Sequence, residues 1–113
     1  MRGYQLTFFT QQNRTHGGQL LSEWLIQVAR DLGIGGATMF AAAEGYGRDR
    51  KLHAAHFFEL ADQPMEVTMA VSVTESQRLF QKLHEEKLNI FCVKTPIEFG
   101  MTDDLMEGRS GNE

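Results

Sequence analysis

Met65-Glu66-Val67-Thr68-Met69-Ala70-Val71-Ser72-Val73 alternates without a break. Met65, Val67, Met69, Val71 and Val73 fall on one side and Glu66, Thr68, Ala70 and Ser72 on the other, the period of a strand with one buried face. The period then changes. Thr74 stands as an N-cap with Gln77 three residues on, which is capping-box spacing, and Leu79, Phe80 and Leu83 form an apolar helical stripe. Lys87–Asn89 turns the chain, and Ile90–Lys94 reads as a last core strand.

Upstream, the same unit occurs in the same order. Tyr4–Thr10 alternates as a strand, with Tyr4, Leu6 and Phe8 against Gln5, Thr7 and Phe9. Asn13–Gly18 reads as a polar loop. Leu20, Leu21, Trp24, Leu25, Val28, Ala29 and Leu32 follow helical spacing, with Ser22, Glu23, Gln27, Arg30 and Asp31 on the solvated side. Gly33 ends the helix as a residue free to take the left-handed conformation. Ala37–Ala43 is a second strand, apolar on both sides. Gly45–Leu52 has no apolar period and is expected to be a mobile loop, with His53–Ala61 a short extended stretch ended by Asp62-Gln63-Pro64.

Strand, helix, strand, strand, helix, strand is the order of the α+β ferredoxin-like βαββαβ sandwich, in which two helices cover one face of a four-stranded antiparallel sheet. Residues 1–100 form that domain, and 101–113 a polar tail. The first, second and last strands carry apolar residues on both sides: Phe9 opposite Phe8, Phe40 opposite Met39, Phe91 opposite Cys92. No element remains to cover the second face. A buried Phe contributes roughly 1.5–3 kcal/mol, so sheet-to-sheet self-association is expected.

Composition narrows the function. With 113 residues, 42% hydrophobic and 23% charged, the chain has the make-up of a globular protein. A formal charge of −4 and a pI of 5.5 argue against a nucleic-acid partner. Arg48, Arg50 and Lys51 cluster around one loop but fall short of a phosphate-backbone footprint. Met1–Thr10 lacks the apolar core of a signal peptide, and no apolar run approaches the roughly 20 residues that span a bilayer. Cys92 is the only cysteine, which excludes an intrachain disulfide; inside Ile90-Phe91-Cys92-Val93 it reads as a buried structural thiol. A cytoplasmic protein with no direct membrane insertion is expected.

Gly33-Ile34-Gly35-Gly36-Ala37-Thr38, followed after a strand by Gly45-Tyr46-Gly47-Arg48, resembles the segment of nitrogen-regulatory PII signalling proteins that leads into their T-loop, where a Gly-Phe-Gly-Arg run marks the loop base. Gly3-Tyr4-Gln5-Leu6-Thr7-Phe8 and His53–Pro64 resemble more closely an uncharacterised PII-like family of unknown function, over about residues 1–100. The resemblance implies a homotrimer whose sheets face the centre, with a nucleotide site in the clefts between subunits. Carried over by position, Thr38, Gly45, Tyr46, Gly47 and Arg48 would bind the ligand. Glycines permit close backbone approach, and arginine offers a fixed fork of donors to phosphate oxygens. Where PII proteins have a glycine-rich basic loop before the last strand, this chain has Glu85-Glu86-Lys87-Leu88-Asn89. Two glutamates oppose a triphosphate, so AMP or ADP is favoured over ATP as the ligand.

Other chemistry is sparse. His53 and His56 are three apart and share a side only in a helix, while His16 and His84 fall in a loop and on a helix surface, where solvated or hydrogen-bonded histidine is expected. Glu44, Glu59 and Asp62 flank the 45–54 loop without a fixed separation. No Ser-His-Asp spacing, P-loop or catalytic constellation appears, so no enzyme and no metal site is expected. The expected function is a PII-like regulatory module that binds an adenine nucleotide and signals through residues 45–54 to a membrane transporter or channel. The alternative is a trimeric metal-binding protein like the CutA copper-tolerance proteins, using His53 or His56.

Overall fold

The computed structural model describes residues 1–41, 44–46, 52–54 and 64–106. Strand β1 (Arg2–Gln11) leads into a short ribbon, β2 (Thr15–His16) and β3 (Gln19–Leu20), and then helix α1 (Leu21–Asp31). Strand β4 (Ala37–Ala41) precedes a second ribbon of β5 (Glu44–Tyr46) and β6 (Leu52–Ala54), followed by β7 (Pro64–Ser72), α2 (Val73–Glu85) and β8 (Cys92–Glu98). The long strands form one antiparallel sheet in the order β4-β7-β1-β8. Strands β1 and β4, consecutive among these four, are not neighbours there, which is the split pairing of the ferredoxin-like fold.

Register sets the two faces. Phe8 lies opposite Val67 on β7 and Cys92 on β8, and Val67 lies opposite Met39 on β4. On that side Leu6, Phe8, Val67 and Val71 are wholly buried, together with Leu21 and Leu25 of α1 and Leu79 of α2. Both helices therefore cover the same face, as the alternation of Met65–Ser72 predicts.

Helix α1 is bounded by backbone rather than by side chains. Leu20 makes no capping bond with its side chain, and the Leu21 N–H donates to the Arg14 carbonyl at 2.8 Å. At the other end Gly33 has φ 77°, its N–H bonds the Arg30 carbonyl and the Ile34 N–H bonds that of Ala29. This is a Schellman closure, with Ile34 joining the core. Ser22, expected on the solvated side, is only 1% exposed. It precedes Leu25 by three residues and so shares that stripe, where its small side chain lets the helix approach the sheet.

Helix α2 starts earlier than the Thr74/Gln77 spacing suggests. Ser72 is the N-cap: the Glu75 N–H donates to Ser72 Oγ at 3.1 Å and the Ser72 N–H donates to Glu75 Oε1 at 2.8 Å. Both capping spacings are present in the sequence. The earlier one places a carboxylate in the first turn, where the helix dipole favours it. Val73, assigned to the strand by alternation, becomes the first helical residue and is exposed. The last strand begins at Cys92 instead of Ile90 and runs on to Glu98, with Pro96 tolerated because β8 is an edge strand.

Two expected loops are ribbons. Thr15 pairs with Leu20 and His16 with Gln19, around Gly17 and Gly18 at φ 60° and 81°, the positive-φ pair of a tight hairpin. Of the Gly45–Leu52 segment expected to be a mobile loop, Gly45, Tyr46 and Leu52 are paired, in a ribbon that sets Glu44, Gly45 and Tyr46 opposite Ala54, His53 and Leu52. Residues 42–43, 47–51, 55–63 and 107–113 lie outside the described residues, and with them much of the expected 45–54 loop, the His53–Ala61 stretch and the tail. Of that tail, residues 101–106 form turns, with the Asp104 N–H bonded to the Met101 carbonyl.

Candidate functional site

The face of the sheet away from the helices carries two contrasting rows. Thr38, Thr68, Thr7 and Val93 lie side by side across β4, β7, β1 and β8, with Thr7 Oγ1 and Thr68 Oγ1 3.4 Å apart. Two residues along, Glu66 lies beside Phe9, whose N–H donates to the Phe91 carbonyl and whose ring centroid is 5.7 Å from that of Phe91. Phe9, Phe91 and Val93 are 36%, 51% and 44% exposed. The apolar surface expected to drive self-association is thus uncovered on this face.

Thr38 sits on that face, in the edge strand β4. Gly45 and Tyr46 are placed by backbone in β5, and Gly47 and Arg48 lie outside the described residues. Ala41 ends β4 opposite Met65, and β5 starts three residues later, within roughly 10 Å of chain. The second ribbon therefore leaves the sheet at the end where β1 finishes and β8 starts. Thr38 lies three residues inside that end. The structure thus brings the base of the 45–54 segment to one end of the sheet.

The same end holds a polar network that sequence reasoning missed. His16 Nε2 stands 2.8 Å from Glu86 Oε1, and Glu86 Oε2 is 3.2 Å from Lys82 Nζ. The His16 ring meets Trp24 edge-on at 4.8 Å, and Arg14 Nη2 donates to the Asn89 carbonyl at 3.1 Å. The His16 hydrogen bond first, and the Lys82 bond second, hold the Glu86 carboxyl below its ordinary value. Glu85 accepts a bond from Gln81 Nε2 at 3.1 Å. The two glutamates before the last strand are therefore engaged with protein donors, Glu86 with His16 and Lys82. The one signal in the sequence was the Gly17-Gly18 pair, which marks a tight hairpin and so brings His16 back over the helices.

Lys87 completes the α2–β8 turn with φ 58°, its N–H on the His84 carbonyl and that of Leu88 on Leu83. Cys92 is half-buried, and its thiol is pushed up by burial. Among the described residues no three His, Cys, Asp or Glu side chains stand together as a metal site. The side chains of Glu44 and His53, and all of His56, Glu59 and Asp62, are outside the described set. No helix among the described residues is long and apolar enough to cross a membrane.

A split four-stranded antiparallel sheet with two helices on one side is the ferredoxin-like fold of the PII-like proteins. CPII of Thiomonas intermedia K12, a nitrogen regulatory PII-like protein bound to ADP, AMP and bicarbonate, superposes with a TM-score of 0.60 at 17% identity, covering 88% of this chain and 90% of that one. A PII-like signaling protein of Thermus thermophilus gives 0.59 at 20% identity, over 86% and 88% of the two chains. The chain belongs to the DUF190 family, described as an uncharacterized ACR, whose profile matches residues 3–98. A UPF0166 protein of Aquifex aeolicus (strain VF5) is 25% identical over 81 residues, 72% of this chain and 74% of that one.

Proposed function

We propose that this protein is a regulatory binding module, not an enzyme, that takes an adenine nucleotide, AMP or ADP, in clefts between the subunits of a homotrimer. The observation that carries the reading is the bare sheet face of Phe9, Phe91 and Val93 meeting, at one end of the sheet, the ribbon that bears Gly45 and Tyr46. A copy packed on that face brings a second wall to the residues at that end. The solved relative of this fold that carries ADP and AMP supports the ligand class.

In this reading Thr38 lines the cleft, Gly45 and Gly47 permit close backbone approach, and Tyr46 and Arg48 contact the nucleotide. Arg48 supplies the phosphate donors. Glu86 is paired with Lys82, while Glu85 is bonded by the neutral Gln81 amide and keeps a charge at the α2–β8 turn that opposes a third phosphate and favours AMP or ADP over ATP. Ligand contact at the ribbon sets the conformation of residues 45–54, and that segment docks on a partner, a membrane transporter or channel.

Isothermal titration calorimetry with AMP, ADP and ATP, alongside sedimentation equilibrium, tests both halves. The expected result is a trimer that binds AMP or ADP at least about tenfold tighter than ATP, with Arg48→Ala weakening binding at least about tenfold. A trimer with no heat at millimolar nucleotide overturns the ligand, and a monomer at micromolar concentration overturns the cleft.

A further inference from the structure

A groove separates the last turns of helix α1 from the start of the edge strand β4. Ile26, Ala29 and Arg30 form one wall and the 33–37 connection the other, around an open volume of about 320 Å³. Small-molecule sites begin at roughly that size. The floor is apolar: Ala29 and Ile34 are buried, and Ile26 and Ala37 are half-buried.

Two glycines keep the groove open. A Cβ built on Gly35 or Gly36 meets nothing within 4 Å. Neither has the positive φ that Gly33 uses to end the helix, so the backbone does not demand glycine at either position. What their missing side chains provide is room for another molecule to approach the chain closely. One charge borders that room. Arg30 is exposed, and among the described residues its guanidinium has neither a hydrogen bond nor an ion pair. The acid next to it, Asp31, instead accepts a bond from Gln27 Nε2 at 2.9 Å.

We propose that this groove binds a small carboxylate with a flat apolar body, the carboxylate on Arg30 and the body against Ile26, Ile34 and the backbone of Gly35 and Gly36. A guanidinium meets a planar carboxylate with two parallel N–H bonds. A dianion such as phosphate is disfavoured, because the groove lies at the C-terminal end of α1, where the helix dipole is negative. A cavity of about 150 Å³ accepts benzene, so the volume here suits a body of two rings.

The groove is distinct from the proposed nucleotide cleft. Ala37 lies beside Met69, which is buried under the helices, whereas Thr38 lies beside Thr68 on the bare face. The two sites therefore stand on opposite sides of β4, and the groove needs neither a nucleotide nor a second copy of the chain.

Amide NMR of the full chain, titrated with naphthoate, with naphthamide as its uncharged counterpart and with inorganic phosphate, tests the site. Naphthoate should shift the amides of Gly33, Gly35, Gly36 and Ala37 saturably, with a Kd below about 1 mM and at least about tenfold tighter than naphthamide. Phosphate should leave them unmoved. Arg30→Gln should weaken naphthoate at least about tenfold and leave naphthamide unchanged. Gly36→Val, whose side chain enters the open space, should abolish binding of both at an unchanged Tm. No saturable shift at residues 33–37 by roughly 10 mM naphthoate overturns the site. Equal affinity for naphthoate and naphthamide, or undiminished naphthoate binding in Arg30→Gln, overturns the carboxylate class. Full affinity in Gly36→Val overturns the groove.

Discussion

Gly3 runs so close to Val71 that a Cβ on Gly3 would stand 1.9 Å from the Val71 carbonyl oxygen. The neighbouring atom is backbone of β7, held by a ladder that pairs Gly3 with Ser72 and Tyr4 with Val71, so it cannot swing aside as a side chain would. Gly3→Ala is expected to lower stability by about 3 kcal/mol through forced displacement of the strand, measured by urea unfolding. A loss under about 1 kcal/mol would show that β1 and β7 separate easily at this end.

The two capping spacings at the start of α2 make a paired prediction. Ser72→Ala removes the oxygen that accepts the Glu75 N–H and should cost about 1 kcal/mol. Thr74→Ala, within the first turn, should cost less than about 0.5 kcal/mol. Thermal unfolding of the two variants decides between them, and equal losses would place the helix start later than Ser72.

Thr10 is 8% exposed, and among the described residues its buried Oγ1 has no hydrogen-bond partner. Replacing that hydroxyl by a methyl of similar shape removes the unmet polar group. Thr10→Val should raise stability by about 1 kcal/mol, a rise of several degrees in Tm for a domain of this size. A drop in Tm would mean that the hydroxyl has a partner in solution.

The sheet was readable because its period was clean: Met65, Val67, Met69 and Val71 are all buried as alternation requires. Helix α1 was readable for the same reason, down to its end at Gly33. What periodicity could not convey was register at element ends. Ser72 belongs to strand and cap at once, and the alternation ran through it to Val73. Nor could it convey the ribbons, because two-residue strands such as Thr15–His16 are too short to show a period. Of the candidate site, Thr38 was placed on the correct strand, and its side of the sheet follows from alternation. The Gly17-Gly18 pair marks the hairpin, but the His16–Glu86 contact depends on where that hairpin lands across 70 residues of chain, which only tertiary packing determines.

Acid should act on Glu86. Its carboxyl lies below the ordinary value in the folded chain, so its contribution to stability is complete above the unfolded carboxyl range and is lost as pH falls through the folded value. The Tm difference between wild type and Glu86→Gln should be largest near neutral pH and shrink towards zero as the solution is acidified below about pH 4. A difference that stays constant to about pH 3 would show that the charge of Glu86 does not contribute.

The central position of β1 has a consequence for how the chain is made. Thr7 reaches across to Thr68, 61 residues on, and Met1 closes against Phe99, 98 residues on, with a bond in each direction. On a ribosome that strand emerges long before either neighbour exists, and its two apolar sides, Phe8 and Phe9, wait without partners. Contacts this distant slow folding, so of the four strands in the sheet β1 is the one that waits longest for its partners. The sheet closes only once β8 has cleared the exit tunnel.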